Sequence, residues 1–282
     1  INTVAAQQLA LRTGIGAQVI PNVMDFEHPP TVNPEKVRRL RSILGLNASD
    51  TVILQPTRVV QRKGIEHAIG LVRALELPNC KLVISHAAGD EGHEYANWLE
   101  AHARDQGVDL RFLQVDLEDP WNPHPTGAPD LTLNDVYPLA DMVTFPSSCE
   151  GFGNAFLEAI YHGKPLLVNQ YEIFQTDIGP LGFQLATMDG FLTRDTVDQI
   201  RTILTNPLLR QQMAAANYEL ARQHFSYECL RQTLRRLLAN GNRQIDAAAG
   251  ERDTPAQANV FYLHGREPFS HQPDPMPARI SS

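Results

Sequence analysis

Apolar residues recur along this chain in two rhythms that take turns. Short β-rich runs, Thr51 to Gln55, Lys81 to Ser85, Leu110 to Val115, Met142 to Phe145 and Lys164 to Asn169, read as buried strands. Between and after them lie amphipathic runs with apolar residues three and four apart: Asn33 to Leu44 closed by Gly45, Ile65 to Leu75, His93 to Gln106, Asp135 to Ala140, a run ending at His162-Gly163, then Thr193 to Leu204, Pro207 to His224 and Tyr227 to Leu238. Strands that alternate with helices predict an α/β fold, a Rossmann-like parallel sheet flanked by helices with right-handed crossovers. Ligands of such sheets bind beyond the carboxyl ends of the strands.

The flanks differ from this pattern. Thr3 to Leu11 predicts a helix, and Val19 to Asp25 runs extended into a Pro-marked turn. Asp116 to Pro129, rich in Pro, Asp and Gly, predicts an irregular surface loop, and Tyr171 to Gly182 a second loop. From Gly241 to Ser282 prolines and polar residues replace the periodicity, which predicts a flexible tail whose one apolar patch is Val260 to Leu263. The expected division is therefore 1–24, 25–240 and 241–282.

One stretch concentrates the chemistry. After the strand at Met142 to Phe145 comes Pro146-Ser147-Ser148-Cys149-Glu150-Gly151-Phe152-Gly153-Asn154-Ala155, and then a helix that carries Glu158. A glycine turn at a helix start exposes unpaired N–H groups at the positive end of the helix dipole, so it suits an anion or an oxygen-rich ligand. Glu150 precedes the turn and Glu158 lies roughly a turn and a half into the helix, at about 3.6 residues per turn, so both carboxylates are able to face one pocket. A second loop, Arg58 to Gly64, places Arg58 and Lys63 between a strand and the start of the next helix. The plain alternatives are a turn-capped helix with two solvated glutamates and a solvated basic loop.

Pro-Ser-x-x-Glu-Gly-Phe-Gly with a second Glu after seven intervening residues resembles the E-x7-E signature of retaining glycosyltransferases of family 4, two-domain GT-B enzymes that move a sugar from a nucleotide diphosphate donor. The resemblance implies that this chain is the C-terminal, donor-binding half of a GT-B fold, with Glu150 on donor-sugar hydroxyls, Glu158 on the ribose diol, and Gly151, Phe152, Gly153, Asn154 and Ala155 as the turn beneath the donor. An ionised carboxylate suits a vicinal diol because it accepts two hydrogen bonds at once. Arg58 and Lys63 are similar to the family's Arg-x4-Lys-Gly phosphate loop, with Thr57 where a Gly is usual; fixed cations there stabilise the charge on a departing diphosphate. Ile20-Pro21-Asn22-Val23-Met24-Asp25 resembles the crossing between the two domains, which makes residues 1–24 the end of an acceptor-side domain and leaves the acceptor to be bound mainly by the missing part; this chain alone is then expected to bind donor without transferring sugar. The resemblance also sets the Asp116 to Pro129 loop against the nucleobase and lets the Tyr171 to Gly182 loop close over the sugar. Within the family, Ile1-Asn2-Thr3, Pro21 to Asp25 and Gly153 to Phe156 are most similar to enzymes that build mannosyl-glucosyl-glycerate-type solutes. UDP-glucose and GDP-mannose remain equal candidates as donor.

Composition narrows the remaining classes. The formal charge of -8 on 282 residues argues against general nucleic-acid binding. No apolar run reaches the length of a membrane span, and the three cysteines, Cys80, Cys149 and Cys229, form neither a C-x-x-C pair nor a disulfide pattern, which fits a cytoplasmic protein. No Asp-x-Asp occurs, so a metal-independent transfer with no cofactor beyond the nucleotide-sugar substrate is expected; His86, Asp90 and His93 are a weak candidate metal set. Two rivals stay open: a non-catalytic nucleotide-sugar-binding or regulatory module, and an NAD-dependent oxidoreductase. The second is disfavoured because Phe156 stands where G-x-G-x-x-G needs its third glycine, and because Glu150 would repel a pyrophosphate.

Overall fold

The computed structural model describes residues 1–86, 93–115, 117 and 131–250, with side chains up to residue 239. Six strands, β1 (Thr51–Gln55), β2 (Cys80–Ile84), β3 (Asp109–Phe112), β4 (Met142–Phe145), β5 (Leu166–Asn169) and β6 (Ala186–Met188), form one parallel sheet in the order β3-β2-β1-β4-β5-β6. The order reverses direction between β1 and β4, the point where an α/β sheet opens a crevice at its carboxyl edge.

Both faces of this sheet are covered, which explains why its strands read as continuous apolar runs rather than as alternating ones. Val52, Leu54, Val83, Val143, Phe145, Leu166 and Val168 point into one core, shared with Leu40 of α2 (Pro34–Ile43), Phe156 and Ile160 of α6 (Asn154–Tyr161), and Ala221 and Phe225 of α8 (Pro207–Phe225). Their neighbours Ile53, Leu82, Ile84, Met142, Leu167, Ala186 and Met188 point the other way, onto Ile65, Ile69 and Val72 of α3 (Ile65–Leu75), Leu99 of α4 (Glu94–Asp105) and Ile200 of α7 (Arg194–Thr205). Helix starts follow the side chains that satisfy free N–H groups: Asn33 caps α2, Thr193 caps α7 and Asn206 caps α8. The expected helix at Asp135 to Ala140 is split into α5 (Leu133–Val136), opened by a capping box of Thr132 and Asp135, and a 3-10 turn Tyr137–Leu139 where Pro138 removes a donor.

Three expectations differ from what is observed. Tyr171 to Gly182 is not an irregular loop: it winds through a π-helical turn Phe174–Ile178 and a 3-10 turn Gly179–Leu181, with Tyr171, Phe174 and Ile178 buried. The run of Ile173, Phe174 and Ile178 anchors it in the core, a periodicity that the Asp and Gly residues around it obscure. The strand β6 lies where no strand is read, because it is three residues long and polar at Thr187. The last helix, α9 (Tyr227–Gly250), extends past residue 240, where composition changes. Residues Ile1–Arg236 form one compact unit and Leu237–Ser282 a second, of which the structure describes only the continuation of α9. The Val260 to Leu263 patch and all but one residue of the Asp116 to Pro129 loop lie outside the described residues.

Ahead of the sheet, α1 (Thr3–Thr13) starts on Asn2, and the segment up to Asp25 carries no helix or strand apart from a bridge at Met24. Met24 makes a parallel bridge to Ser226, its N–H donating to the Phe225 carbonyl at 2.9 Å, so the segment around Met24 is seated on the junction between α8 and α9.

Candidate functional site

The turn that follows β4 is held from three sides. The amide of Asn169, at the end of β5, donates to the Ser147 carbonyl at 3.0 Å; the buried Tyr171 hydroxyl donates to the Phe152 carbonyl at 2.7 Å; and Asn2 donates from Nδ2 to the Gly151 carbonyl at 2.5 Å. Gly153 sits at φ +103°, and a Cβ there would lie 2.6 Å from the Tyr171 hydroxyl and 2.9 Å from the Phe145 ring. Only glycine meets both the backbone and the space. The turn thereby delivers Asn154 as the first residue of α6, its Oδ1 accepting from Asn22 Nδ2 at 2.5 Å.

The basic loop is built onto the same turn. After β1 the chain passes Pro56 to Val60 into a 3-10 turn, Gln61–Lys63, which ends on Gly64 at φ +62°. A Cβ on Gly64 would come within 2.6 Å of the Pro146 carbonyl oxygen, so the two loops pack backbone to backbone. The Ser148 N–H donates to the Arg62 carbonyl at 2.9 Å. Lys63 is fixed from beneath: Gln55, fully buried at the end of β1, donates from Nε2 to the Lys63 carbonyl at 2.9 Å, and Thr144 of β4 donates to Gln55 Oε1 at 3.4 Å.

Between these loops lies a cleft of about 440 Å³ at the carboxyl edge of β1, β2 and β4. Of the nine candidate residues, Arg58, Lys63, Glu150, Phe152, Gly153, Asn154, Ala155 and Glu158 line it. Gly151 stands behind the lining, where its carbonyl receives the Asn2 amide. Asn22, Thr57, His86 and Leu133 complete much of the wall. His86, at the end of β2, is joined through Nδ1 to the hydroxyl of the buried Ser85 at 2.7 Å. Its partner in the candidate metal set, Asp90, lies outside the described residues, and among the described residues no three His, Cys, Asp or Glu side chains are grouped to hold a metal ion.

The charges in the cleft are arranged as pairs rather than as separate groups. Lys63 Nζ makes an ion pair with Glu150 Oε1, and both side chains are only 12% and 10% exposed. Arg62 reaches the other oxygen, Oε2, at 3.5 Å, and the Lys63 ammonium also sits 5.6 Å from the centre of the Phe145 ring. Glu158 is half-buried; its Oε2 accepts from the hydroxyl of Tyr137 at 2.7 Å. Burial pushes the Glu158 carboxyl up, and the Tyr137 hydrogen bond opposes that shift by favouring the ionised form.

Sequence reasoning missed Arg62, Gln55 and Tyr137. Arg62 lies one residue from Lys63, and spacing alone does not say which of two adjacent cations turns inward. Gln55 and Tyr137 stand inside an apolar strand and a short helix, where they read as ordinary elements of the scaffold.

A parallel α/β sheet flanked by helices, with a strand-turn-helix cleft at its switch point, is an architecture of the GT-B kind. Residues 36–220 match the glycosyl transferases group 1 family, and the chain belongs to that family. It is 31% identical over 264 residues to the mannosylglucosylglycerate synthase of Thermotoga maritima, covering 84% of this chain and 60% of that protein. It is likewise 31% identical over 207 residues to the enzyme of the same name from Petrotoga mobilis, covering 67% of this chain and 47% of that protein. The chain thus spans about half of the length of these relatives. Among solved structures, Anabaena HepE in complex with UDP-glucose superposes with a TM-score of 0.66 at 20% identity, over 85% of this chain and 62% of that one, a likeness of fold. Family membership removes the oxidoreductase alternative.

Proposed function

We propose that the protein containing this chain is a retaining hexosyltransferase and that residues of this chain bind its nucleotide diphosphate sugar donor. The observation that carries the reading is the convergence of Arg58, Lys63, Glu150, Glu158 and the start of α6 on one cleft. In this reading the α6 N-terminus, Arg58 and Lys63 receive the diphosphate, Glu158 receives the ribose diol and Glu150 the sugar hydroxyls. The relatives named mannosylglucosylglycerate synthase favour a hexose donor, UDP-glucose or GDP-mannose, and a small polar acceptor held mainly outside this chain.

The chemistry we assign needs no protein nucleophile. The acceptor oxygen bonds to the anomeric carbon on the face from which the phosphate oxygen departs, the carbon–phosphate oxygen bond breaks, and the acceptor proton passes to the leaving phosphate. The role of Arg58 and Lys63 is to stabilise the negative charge that accumulates on that phosphate. The Lys63–Glu150 pair places a cation and an acceptor side by side, as the junction between the diphosphate and the sugar ring demands.

The test is calorimetry of the 282-residue chain with UDP, GDP and their hexose conjugates, followed by product analysis with the whole protein. Binding of one nucleotide in preference to the other, with Glu158→Ala weakening free nucleoside diphosphate more than Glu150→Ala, is expected. A product whose anomeric configuration is inverted relative to the donor refutes the retaining mechanism, and equal losses for both variants refute the division of roles.

A further inference from the structure

Glu158 stands on a wall shared by two clefts. One is the cleft of Lys63 and Glu150; the other, about 670 Å³, lies between α6, the segment from Ile20 to Met24 and Leu230 of α9. A carboxylate on a four-bond stem at such a wall has two directions in which to turn. What holds it is a phenol. Tyr137 is fully buried, its ring is stacked on His162 with centroids 4.7 Å apart and planes at 5°, and its hydroxyl donates to Glu158 Oε2 at 2.7 Å. His162 is itself tied through Nε2 to Asn134 Oδ1 at 3.1 Å, and burial holds its pKa down to about 4, so the stack is neutral at ordinary pH.

We infer that Tyr137 is the positioning residue for Glu158: by occupying Oε2 it fixes the carboxylate plane and leaves Oε1 as the oxygen offered to a vicinal diol in the donor cleft. This rests on the proposed role of Glu158 in binding ribose. The physical reasoning is that a carboxylate free to rotate about its last torsion presents either oxygen and either cleft, whereas one already accepting from a fixed donor presents a single acceptor in a single place. The rigid ring, packed face to face against His162 and wholly buried, has no freedom with which to follow a wandering partner. Burial pushes the Glu158 carboxyl up, and the Tyr137 hydrogen bond opposes that shift.

The experiment compares a nucleoside diphosphate, UDP or GDP as binding dictates, with its 2′,3′-dideoxy counterpart, on wild type, Glu158→Ala, Glu158→Gln and Tyr137→Phe. Wild type is expected to favour the ribose form by at least about tenfold, the worth of one charge-assisted hydrogen bond. Tyr137→Phe keeps the stacked ring and removes only the hydroxyl; it should collapse that preference to about twofold or less while leaving the dideoxy affinity within about twofold of wild type, since one lost neutral-to-charged hydrogen bond is worth roughly tenfold. A general structural injury would weaken both ligands alike, and that result overturns the inference. If Tyr137→Phe does not fold, Glu158→Gln decides: with Tyr137 intact its amide oxygen is held on the hydroxyl and its NH₂ replaces Oε1, so the diol preference should disappear, and a retained preference overturns the inference. Loss of the preference in Glu158→Ala but not in Tyr137→Phe leaves the donor-site reading standing and removes the positioning role. A preference unchanged in Glu158→Ala, or a wild type that binds neither nucleotide, refutes the donor-site reading and the inference with it.

Discussion

Replacing Gly153 by alanine tests the turn on which the whole cleft depends. The backbone at Gly153 has φ +103°, a conformation that L residues adopt at about 1–2 kcal/mol of strain. The added methyl would also meet the Tyr171 hydroxyl at 2.6 Å and Phe145 Cε1 at 2.9 Å, both from buried side chains in the core beneath α6. Neither gives way freely, because Tyr171 is tied to the Phe152 carbonyl and the two rings pack edge to face at 6.0 Å. Overpacking of this kind costs about 1–3 kcal/mol, so the total is roughly 2–5 kcal/mol. At about 2–4 °C per kcal/mol for a unit of this size, the Tm should fall by roughly 4–20 °C. Gly182→Ala is the control: its φ is +89° and nothing lies within 4 Å of the added methyl, so it carries the backbone strain without the clash. Thermal melts of both variants, with nucleotide affinity measured well below either Tm, give the answer. Gly153→Ala should be the less stable and should lose affinity, since relief of the clash displaces the first turn of α6. If its Tm falls no further than that of Gly182→Ala, the close approach of Tyr171 and Phe145 is not what requires glycine and the reasoning fails.

The remaining predictions concern charge. Arg111 and then Lys81, at distances of 2.8 and 2.7 Å, hold Asp109 below the usual carboxylate range, at about 2. The stability this contributes is present above about pH 4 and is lost as pH falls toward 2, so Asp109→Asn should flatten the acid limb of a stability-against-pH curve between those values; an unchanged slope would refute it. Lys63→Ala strips Glu150, only 10% exposed, of its main partner and leaves it Arg62 at 3.5 Å; breaking a buried pair costs at most about 3–5 kcal/mol. The double variant Lys63→Ala with Glu150→Ala should therefore be more stable than Lys63→Ala alone, and strictly additive losses in a denaturant cycle would show that the two do not act as a pair.

How much of this was legible in the sequence depends on the range of the interactions. Strands such as Met142–Phe145 and helices such as Ile65–Leu75 announce themselves, because a sheet buried on both faces demands unbroken apolar runs and its helices demand a three-to-four spacing. The location of the cleft also follows from local order, since a charged or glycine-rich loop after a strand of a parallel sheet lies at its carboxyl edge. Partnerships over long separations do not follow. That Glu150 finds Lys63, that Glu158 finds Tyr137, and that Gly151 is held by Asn2 are facts about residues 87, 21 and 149 positions apart. The turn at Phe174–Ile178 is misread for the opposite reason: its sequence is locally polar, with Gln175, Thr176 and Asp177, and only the sockets that receive Phe174 and Ile178 make it helical.

The two loops that line the cleft form one unit rather than two. Gly64 against Pro146, Ser148 on the Arg62 carbonyl and Lys63 on Glu150 tie them at the backbone and at the side chains, while Gln55 and Thr144 tie their parent strands below. This bears on how a chain with a formal charge of -8 can present the proposed diphosphate site. At physiological salt the reach of exposed charges is about 8 Å, so the acidic remainder of the surface is largely screened from the cleft, and what an entering anion meets is the α6 start with Arg58, Arg62 and Lys63 beside Glu150. Glu150 fixes the inward-facing lysine in an enclosed position by pairing with its ammonium. An anion bridging Lys63 and the α6 N–H groups adds to that pairing without having to break it, because an ammonium has three donors and Glu150 uses one. In the proposed reading the carboxylate is therefore as much a part of the phosphate site as the cations are, and Gly64, whose Cβ would come within 2.6 Å of the Pro146 carbonyl oxygen, is what lets the two backbones come close enough to share it.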